Sequence, residues 1–367
     1  MAQRGVYSEL KMANWYAKEG KLPDGPKQVQ LILSDLCNQD CSFCAYRMSG
    51  YTSNELFVGD SEKAAYGHSN PKRWIPTERA LRLVEEIKRA GALAIQFTGG
   101  GEPTVHPEHE RIFDKTLGLG LRASLVSNGV KWSTHLIDML LPRFDWVRVS
   151  IDAGNANSYA SIRRTPAAHW ERVWTNVRRL AWAIKERKST CALGLGFVVT
   201  PDSWQELVQF TEQAKAAGAH NVRFTAMFSP EDEKPFIDIY EQVVALIVEA
   251  RKRECDGFTV YDNFGSRFDD LRQHAPDYKH CAYQYYTTYI GGDMRAYRCC
   301  VLAYNKRGLV AGGDLHTRPF DEYWKDPARL ADMQKLDARG CERCQFNVKN
   351  RAMVEIMNPD MPHKEWV

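Results

Sequence analysis

The chain has 367 residues, 44% of them hydrophobic and 26% charged, which is the balance of an ordinary folded protein. Its formal net charge of +3 predicts no general attraction to nucleic acid or to anionic membranes, although a local basic patch is compatible with it. No apolar run approaches the roughly 20 residues that span a bilayer, and the N-terminus lacks the apolar core of a signal peptide. We therefore expect a cytoplasmic protein with no membrane partner.

Short apolar runs alternate with longer amphipathic segments along most of the chain. Six runs are rich in β-branched residues and bounded by turn signals, as buried parallel strands are: 29–33, 94–98, 123–127, 146–151, 192–199 and 221–227. Helical patterns lie between them, and the first begins at Thr77 and ends before Gly91. Six strand–helix units are too few for a closed eight-unit barrel, so we expect an α/β fold with a partial (β/α)6 TIM-like barrel over residues 28–255.

Three segments depart from this alternation. Residues 1–27 form an N-terminal extension, and residues 49–74 form a long polar insertion directly after the first cysteines. Loops of this length in a compact domain usually act as lids or contact substrate. Residues 256–367 are rich in aromatic residues, glycines and cysteines, and we expect them to form a small second domain with the C-terminal tail.

The first run leads into three cysteines within eight residues, Cys37, Cys41 and Cys44. The carboxyl ends of barrel strands are where α/β barrels place their active sites. Because the cytoplasm keeps thiols reduced, clustered cysteines indicate metal binding rather than disulfides. A structural zinc site usually needs four protein ligands, whereas three cysteines can hold an iron–sulfur cluster with one iron left open to a ligand.

The CxxxCxxC spacing, with Phe43 before the last cysteine, resembles the radical S-adenosylmethionine (SAM) superfamily. A glycine-rich segment after the second strand, TGGGEP at residues 98–103, fits the same resemblance. The resemblance implies a 4Fe–4S cluster whose open iron is chelated by SAM. One electron, from an external donor of the flavodoxin or ferredoxin type, then cleaves SAM to a 5′-deoxyadenosyl radical, which abstracts a hydrogen atom from substrate.

The resemblance also implies cofactor contacts at the carboxyl ends of successive strands. The glycine segment and its acid would hold the methionine amino group, and an arginine after the fourth strand would pair with the methionine carboxylate. Aromatic and apolar residues would flank the adenine. The expected contacts are Phe43, Gly99, Gly100, Gly101, Glu102, Ser127, Asn128, Ser150, Asp152, Arg163, Arg164 and Val198.

A second group of cysteines lies near the C-terminus: Cys281, Cys299, Cys341 and Cys344, with Cys300 as a substitute for Cys299. A hairpin turning at residues 291–293 would bring the first two together, and the later CxxC completes four thiolates. From the residues alone, this set fits either zinc or an iron–sulfur cluster. The set is similar to the twitch domain, the short form of the SPASM domain, which implies an auxiliary 4Fe–4S cluster. The two remaining cysteines, Cys191 and Cys255, are expected in the core.

Three functions are compatible with the sequence. The first is a radical SAM enzyme that oxidises, rearranges or epimerises a small or amino-acid-derived molecule. The second acts on a nucleotide or on a base in nucleic acid, for which the insertion supplies cations and aromatic residues: Lys63, Lys72, Arg73, Tyr51, Phe57, Tyr66 and Trp74. The third is a non-catalytic iron–sulfur or zinc protein. Candidate substrate contacts include Tyr46, Arg47, His106, His109 and Arg223.

Overall fold

The structure is a computed structural model that describes residues 24–47 and 74–357. Most of the N-terminal extension, the insertion apart from Trp74, and the last ten residues lie outside this part of the chain, together with the expected contacts from the insertion. The strands are β1 Gln28–Leu31, β2 Ala94–Phe97, β3 Arg122–Ser127, β4 Trp146–Ser150, β5 Ala192–Val199, β6 Asn221–Ala226, β7 Thr259–Asp262, β8 Thr287–Ile290, β9 Arg295–Tyr297 and β10 Leu309–Asp314.

Helices follow most of the strands. Their bounds are α1 Thr77–Arg89, α2 His109–Gly118, α3 Ala156–Arg163, α4 Ala168–Glu186, α5 Leu207–Ala216, α6 Tyr240–Arg251, α7 Phe264–Gln273, α8 Phe320–Lys325, α9 Pro327–Lys335 and α10 Asn347–Met357. Between β3 and β4 the chain forms a π-helical turn, Leu136–Leu140. Within the described ranges, no helix combines the length and apolarity needed to cross a membrane.

All ten strands belong to one sheet, in the order β10-β9-β8-β1-β2-β3-β4-β5-β6-β7. Strands β1 to β7 are parallel and follow chain order, which confirms the expected α/β partial barrel. The six expected strands are present, each end within two residues of its predicted place.

The sheet extends further on both sides than the sequence predicted. Strand β7 pairs with β6 and is followed by α7, so a seventh strand–helix unit continues past residue 255. Its four residues are partly exposed and carry little of the apolar signal that marks a buried strand. On the other side, β8 pairs in parallel with β1 and starts the antiparallel hairpin with β9. The C-terminal hairpin is therefore continuous with the barrel sheet.

Most of the parallel strands alternate between buried apolar residues and residues that are mainly polar or small. The apolar set is fully buried in the main hydrophobic core with the flanking helices: Val29, Leu31, Ile95, Phe97, Val147, Val149, Leu193, Leu195, Val222 and Phe224. The alternate set points to the other face and lines an internal chamber: Gln28, Gln30, Gln96, Trp146, Arg148, Val198 and Arg223. Burying each large apolar side chain contributes about 1.5–3 kcal/mol, so the outer layer holds the barrel together and the inner layer is left for ligands.

A buried ion pair joins α1 to the segment after the hairpin. Arg79 and Glu86 of α1 pair at 2.9 Å, and both side chains are more than nine-tenths buried. Arg79 also donates to the Leu315 carbonyl at 2.9 Å, and the amide of Phe320 donates to Glu86 at 2.9 Å. These bonds satisfy both charges and fix the C-terminal segment to the outside of the barrel.

Candidate active site

The first three cysteines follow β1 and share one cavity. Cys37, Cys41 and Cys44 are free thiols that line a space of about 340 Å³ at the carboxyl rim of the strands. Burial and the nearby Glu102 carboxylate raise the pKa of Cys37 to about 12, and burial also raises the pKa of Cys44. A cationic metal group offsets the cost of holding such thiols as thiolates.

The donor set fits an iron–sulfur cluster better than a single ion. In the described part of the chain, no three Cys, His, Asp or Glu side chains converge closely enough to bind one metal ion. A multi-iron cluster occupies more space and accepts cysteines that surround a cavity. Three thiols are also one fewer than closed cluster ligation requires, so the fourth position falls to another ligand.

The cysteine loop is anchored to helix α3. The amide of Asp40 donates to the Arg163 carbonyl at 3.2 Å, and Gln39 Nε2 donates to the Tyr159 hydroxyl at 2.7 Å. Arg163 Nη1 donates to Cys41 Sγ at 3.3 Å. A cation in contact with a ligand sulfur stabilises the negative charge of a thiolate. The geometry of the loop therefore depends on the end of α3.

The two arginines at the end of α3 differ in their surroundings. The Arg163 guanidinium is buried, forms an ion pair with Asp152, and donates to Gln39 Oε1 at 3.1 Å as well as to Cys41. Its donors contact the cysteine loop and Asp152, and the side chain also lines the cysteine cavity, so its pairing with a methionine carboxylate stays a prediction. Arg164 has a left-handed backbone (φ 45°), is exposed, and lies 3.5 Å from Asp40. It lies outside the cysteine cavity.

Glu102 connects the ends of β2 and β3. Its carboxylate accepts hydrogen bonds from the Thr104 amide and hydroxyl at 3.1 and 2.7 Å, from the Ser127 hydroxyl at 2.8 Å, and from the Asn128 amide at 2.7 Å. These four protein donors occupy both oxygens of a buried carboxylate. The part of this motif that faces the cavity is the glycine backbone, Gly99 to Gly101.

The glycines permit close contact between two loops. A Cβ on Gly101 would lie 2.2 Å from the Leu36 carbonyl oxygen, and one on Gly100 would lie 2.8 Å from Asp35 Oδ1. The Glu102 amide also donates to the Leu36 carbonyl at 2.9 Å. The glycine segment is therefore packed directly against the residues that lead into the cysteines, which no other residue type allows.

The next two strand ends are coupled through Asp152. This residue follows β4 with φ 65°, pairs with Arg163, and accepts a hydrogen bond from the Val198 amide at 2.6 Å. Burial raises its pKa, which the Arg163 charge opposes. The expected contacts that line the cysteine cavity are Phe43, Gly99, Gly100, Gly101, Ser150, Arg163 and Val198, whereas Glu102, Ser127, Asn128 and Asp152 support it from behind.

The cysteine cavity adjoins the chamber inside the barrel, which has a volume of about 750 Å³. Both spaces are lined by the same residues at their junction: Ala45, Tyr46, Gly99, Val198, Arg223, Phe228, Arg267 and Gln345. A group bound at the cysteines therefore faces a ligand in the chamber.

Sequence reasoning identified Tyr46 and Arg223 but missed Arg148, Arg267 and the three glutamines. The sequence signal that could have identified these chamber residues was the recurrence of polar side chains at alternate positions of the apolar runs.

The histidines expected as substrate contacts have structural roles. His106 is buried, its Nε2 lies 2.8 Å from the Ile75 carbonyl, and burial lowers its pKa. His109 Nδ1 lies 2.8 Å from the His106 carbonyl. Both rings therefore hold the segment before α2, away from the chamber.

Four C-terminal cysteines share a second, small internal cavity. They are Cys281, Cys299, Cys341 and Cys344. Burial and the neighbouring Cys344 raise the pKa of Cys281 to about 12, and burial raises that of Cys299 well above its usual value. Four thiols on three separate segments are a complete donor set for an enclosed metal group.

Adjacent cysteines face opposite ways at the end of the hairpin. Cys299 lines the small cavity, whereas Cys300 lines the barrel chamber, where Gln345 Nε2 donates to its sulfur. The structure thus favours Cys299 over Cys300 as the fourth thiol.

Cys191 is buried as expected, but Cys255 is exposed because it lies in the turn before β7.

If the glycine contact holds the cysteine loop in place, Gly101→Ala should lose iron at this site. Its methyl group would collide with backbone atoms of residues 35 and 36, so the loop would have to shift. Iron and sulfide per chain after anaerobic reconstitution measure the effect. Gly118→Ala is the matched control, because a Cβ at that exposed position meets no atom within 4 Å. Equal iron content in the two variants would show that the close contact is dispensable.

Three comparisons with known proteins bear on this geometry. Residues 31–211 match the family model described as the Radical SAM superfamily. An S-adenosylmethionine-dependent nucleotide dehydratase of Flammeovirga pacifica is 28% identical over 149 residues, 40% of this chain and 46% of that protein. A probable GTP 3′,8-cyclase of Halobacterium salinarum is 24% identical over 139 residues, 38% of this chain and 35% of that protein. The matched region spans less than half of either relative.

The fold has solved counterparts. The crystal structure of Streptococcus suis SuiB bound to precursor peptide SuiA has a TM-score of 0.60 and 11% identity, and covers 89% of this chain and 70% of that chain. At this identity the likeness shows the fold alone. The family match spans β1 to α5 and includes the three cysteines and the glycine segment. Residues 31–211 of this chain therefore form a domain of the radical SAM superfamily, as the resemblance predicted.

Proposed function

We propose that this enzyme binds a 4Fe–4S cluster through Cys37, Cys41 and Cys44 and abstracts a hydrogen atom from a small molecule held in the barrel chamber. The observation that carries the proposal is the junction between the cysteine cavity and the chamber. When bound, the cluster and SAM supply one-electron cleavage to a 5′-deoxyadenosyl radical. The chain's own residues must hold the cofactor, exclude water and orient the substrate.

The rim residues divide these tasks. The glycine backbone and Ser150 offer polar groups to SAM, while Val198 and Phe43 supply apolar surface for its adenine. Phe43 is in turn held by Arg163, whose guanidinium lies 5.7 Å from its ring centroid. Because Arg163 also contacts Cys41, one buried side chain orients both the cluster loop and the surface beside it. An external one-electron donor of the flavodoxin or ferredoxin type supplies the electron.

The substrate is a small molecule on the basis of the chamber's size. A volume of about 750 Å³ falls in the usual range for sites that bind small ligands. Oxidation, rearrangement or epimerisation of an amino-acid-derived molecule is one candidate reaction. A nucleotide is the alternative, and the names of both relatives favour it. Apart from Trp74, the insertion that suggested contacts to nucleic acid lies outside the described residues.

We further propose that Cys281, Cys299, Cys341 and Cys344 bind an auxiliary 4Fe–4S cluster. Support comes from four thiols that line one small cavity, which is the number that closed ligation of a cluster needs. Val301 and Phe346 line both this cavity and the barrel chamber, so such a cluster would lie next to the chamber. This position suits a closed cluster that shapes the chamber or exchanges an electron with it.

Anaerobically reconstituted protein should form 5′-deoxyadenosine when given SAM and dithionite. Alanine at Cys37, Cys41 or Cys44 should abolish the product, since each variant removes one of only three ligands. Product is measured by chromatography and mass spectrometry. Cys255→Ala, at an exposed cysteine far from both cavities, serves as the control and should retain wild-type yield. Product at wild-type yield from a Cys41→Ala variant would refute the assigned cluster site.

Iron content tests the second site separately. Two 4Fe–4S clusters correspond to about eight irons per chain, and Cys341→Ala should leave about four. Cys300→Ala should keep both clusters, because its sulfur lines the chamber instead of the small cavity. One cluster's worth of iron together with one zinc in the wild-type protein would show a structural zinc site. Loss of iron in Cys300→Ala but not in Cys299→Ala would reverse the ligand assignment.

A further inference from the structure

Two arginines project into the chamber from strands separated by β5. Arg148 of β4 is in register with Gly194, and Arg223 of β6 is in register with Gly196. Because β5 carries no side chain at either position, nothing on that strand fills the space between the guanidinium groups. A Cβ on Gly196 would already lie 3.6 Å from Arg148 Cδ. The Asn221 side chain covers Gly194 and the Arg148 side chain lies against Gly196, so β5 places no bulky side chain of its own between the two arginines where they line the chamber.

Among the described residues, neither guanidinium has a protein acceptor. Across residues 24–47 and 74–357, no hydrogen bond or ion pair is made by Arg148 or Arg223, and Arg223 Nε is buried without a partner. The carboxylate whose charge acts on Arg148 is that of Asp152, and this carboxylate forms its ion pair with Arg163 instead. Arg148 lies over the Trp146 ring, 5.5 Å from its centroid. Both side chains are half-buried, and cations that lack a protein partner in such a cleft are typical of sites that bind an anionic ligand.

The chamber as a whole carries excess positive charge. Arg267 also lines it, and lies 3.5 Å from Asp270 and 2.8 Å from the Gln345 side-chain oxygen. Asp270, the acidic residue in the described lining, accepts a further hydrogen bond from Asn347 at 2.8 Å. Burial and the charges of Arg148 and Arg267 lower the pKa of Arg223 to about 9. A bound anion would relieve this repulsion.

We infer that Arg148 and Arg223 form a binding subsite for the phosphoryl groups of the substrate, which deepens the proposed function and rests on it. Two uncompensated guanidinium groups match an anion with at least two charges and several acceptor oxygens, as a diphosphate or triphosphate has. A single carboxylate would leave one cation unpaired. Gln28, Gln30 and Gln96 on the same inner face supply neutral donors and acceptors for the rest of the molecule.

Phosphoryl groups could belong to a nucleotide or to a sugar phosphate, and binding measurements distinguish them. The reconstituted holoenzyme is titrated calorimetrically with pyrophosphate, the four ribonucleoside triphosphates, the parent nucleosides, ribose 5-phosphate and citrate. Pyrophosphate and at least one triphosphate should bind, and each nucleoside should bind at least tenfold more weakly than its triphosphate. Tighter binding of ribose 5-phosphate than of every triphosphate would indicate a sugar phosphate. Both results support the subsite.

The variants Arg148→Gln and Arg223→Gln should each weaken pyrophosphate binding at least tenfold, because each removes charge-assisted hydrogen bonds. Arg148→Lys and Arg223→Lys keep the charge and should lose less. Arg122→Gln is the matched control: Arg122 lies on neighbouring β3, but its exposed side chain pairs with Asp145 at 2.8 Å. Iron content and thermal unfolding of each variant show whether it is folded.

The inference is overturned if folded Gln variants bind pyrophosphate as the wild type does, if no phosphorylated probe binds, or if citrate binds more tightly than all of them. The proposed function fails independently, by absence of 5′-deoxyadenosine from the reconstituted enzyme. Pyrophosphate binding without SAM cleavage would uphold the subsite and refute the radical reaction. SAM cleavage without binding of any phosphorylated probe would uphold the radical reaction and refute the subsite.

Discussion

The two-residue period of the parallel strands determines both the stability and the use of this fold. One face of each strand is apolar and packs under the helices, and the other is polar and borders open space. If the inner positions were apolar and large, the barrel would have a filled interior, as closed barrels do. Glutamines, arginines and glycines stand there instead. The same alternation that closes the core on one side keeps a chamber on the other.

The rim converts this chamber into a reaction site through contacts between successive loops. Glu102 ties the second strand end to the third, and Asp152 ties the fourth to the fifth. Arg163 joins the latter pair to Cys41. Tyr46, two residues after Cys44, lies 3.1 Å from the Tyr289 hydroxyl on β8, so the cysteine loop also contacts the C-terminal hairpin. The strands that adjoin the two cysteine sites therefore belong to one continuous sheet.

Local patterns in the sequence sufficed for the partial barrel and for the placement of the first three cysteines and the glycine segment at the strand ends, because each depends on neighbouring residues. Arg163 was identified, but its partner was not, since its contact with Cys41 spans 122 residues of sequence. The choice between Cys299 and Cys300 depends on which way each side chain points at the hairpin end. Strand β7 was missed because a short, partly exposed edge strand has little apolar signal. Arg148 was missed because the run 146–151 was interpreted as uniformly buried.

The central claim is that three thiolates leave one iron open to SAM at the entrance of the chamber. Electron paramagnetic resonance of the dithionite-reduced Cys341→Ala variant, which isolates the first cluster, tests it most directly. The account predicts a 4Fe–4S signal whose g-values shift when SAM is added, because the cofactor binds iron. A signal that SAM leaves unchanged, or a protein with no paramagnetic cluster, would contradict it.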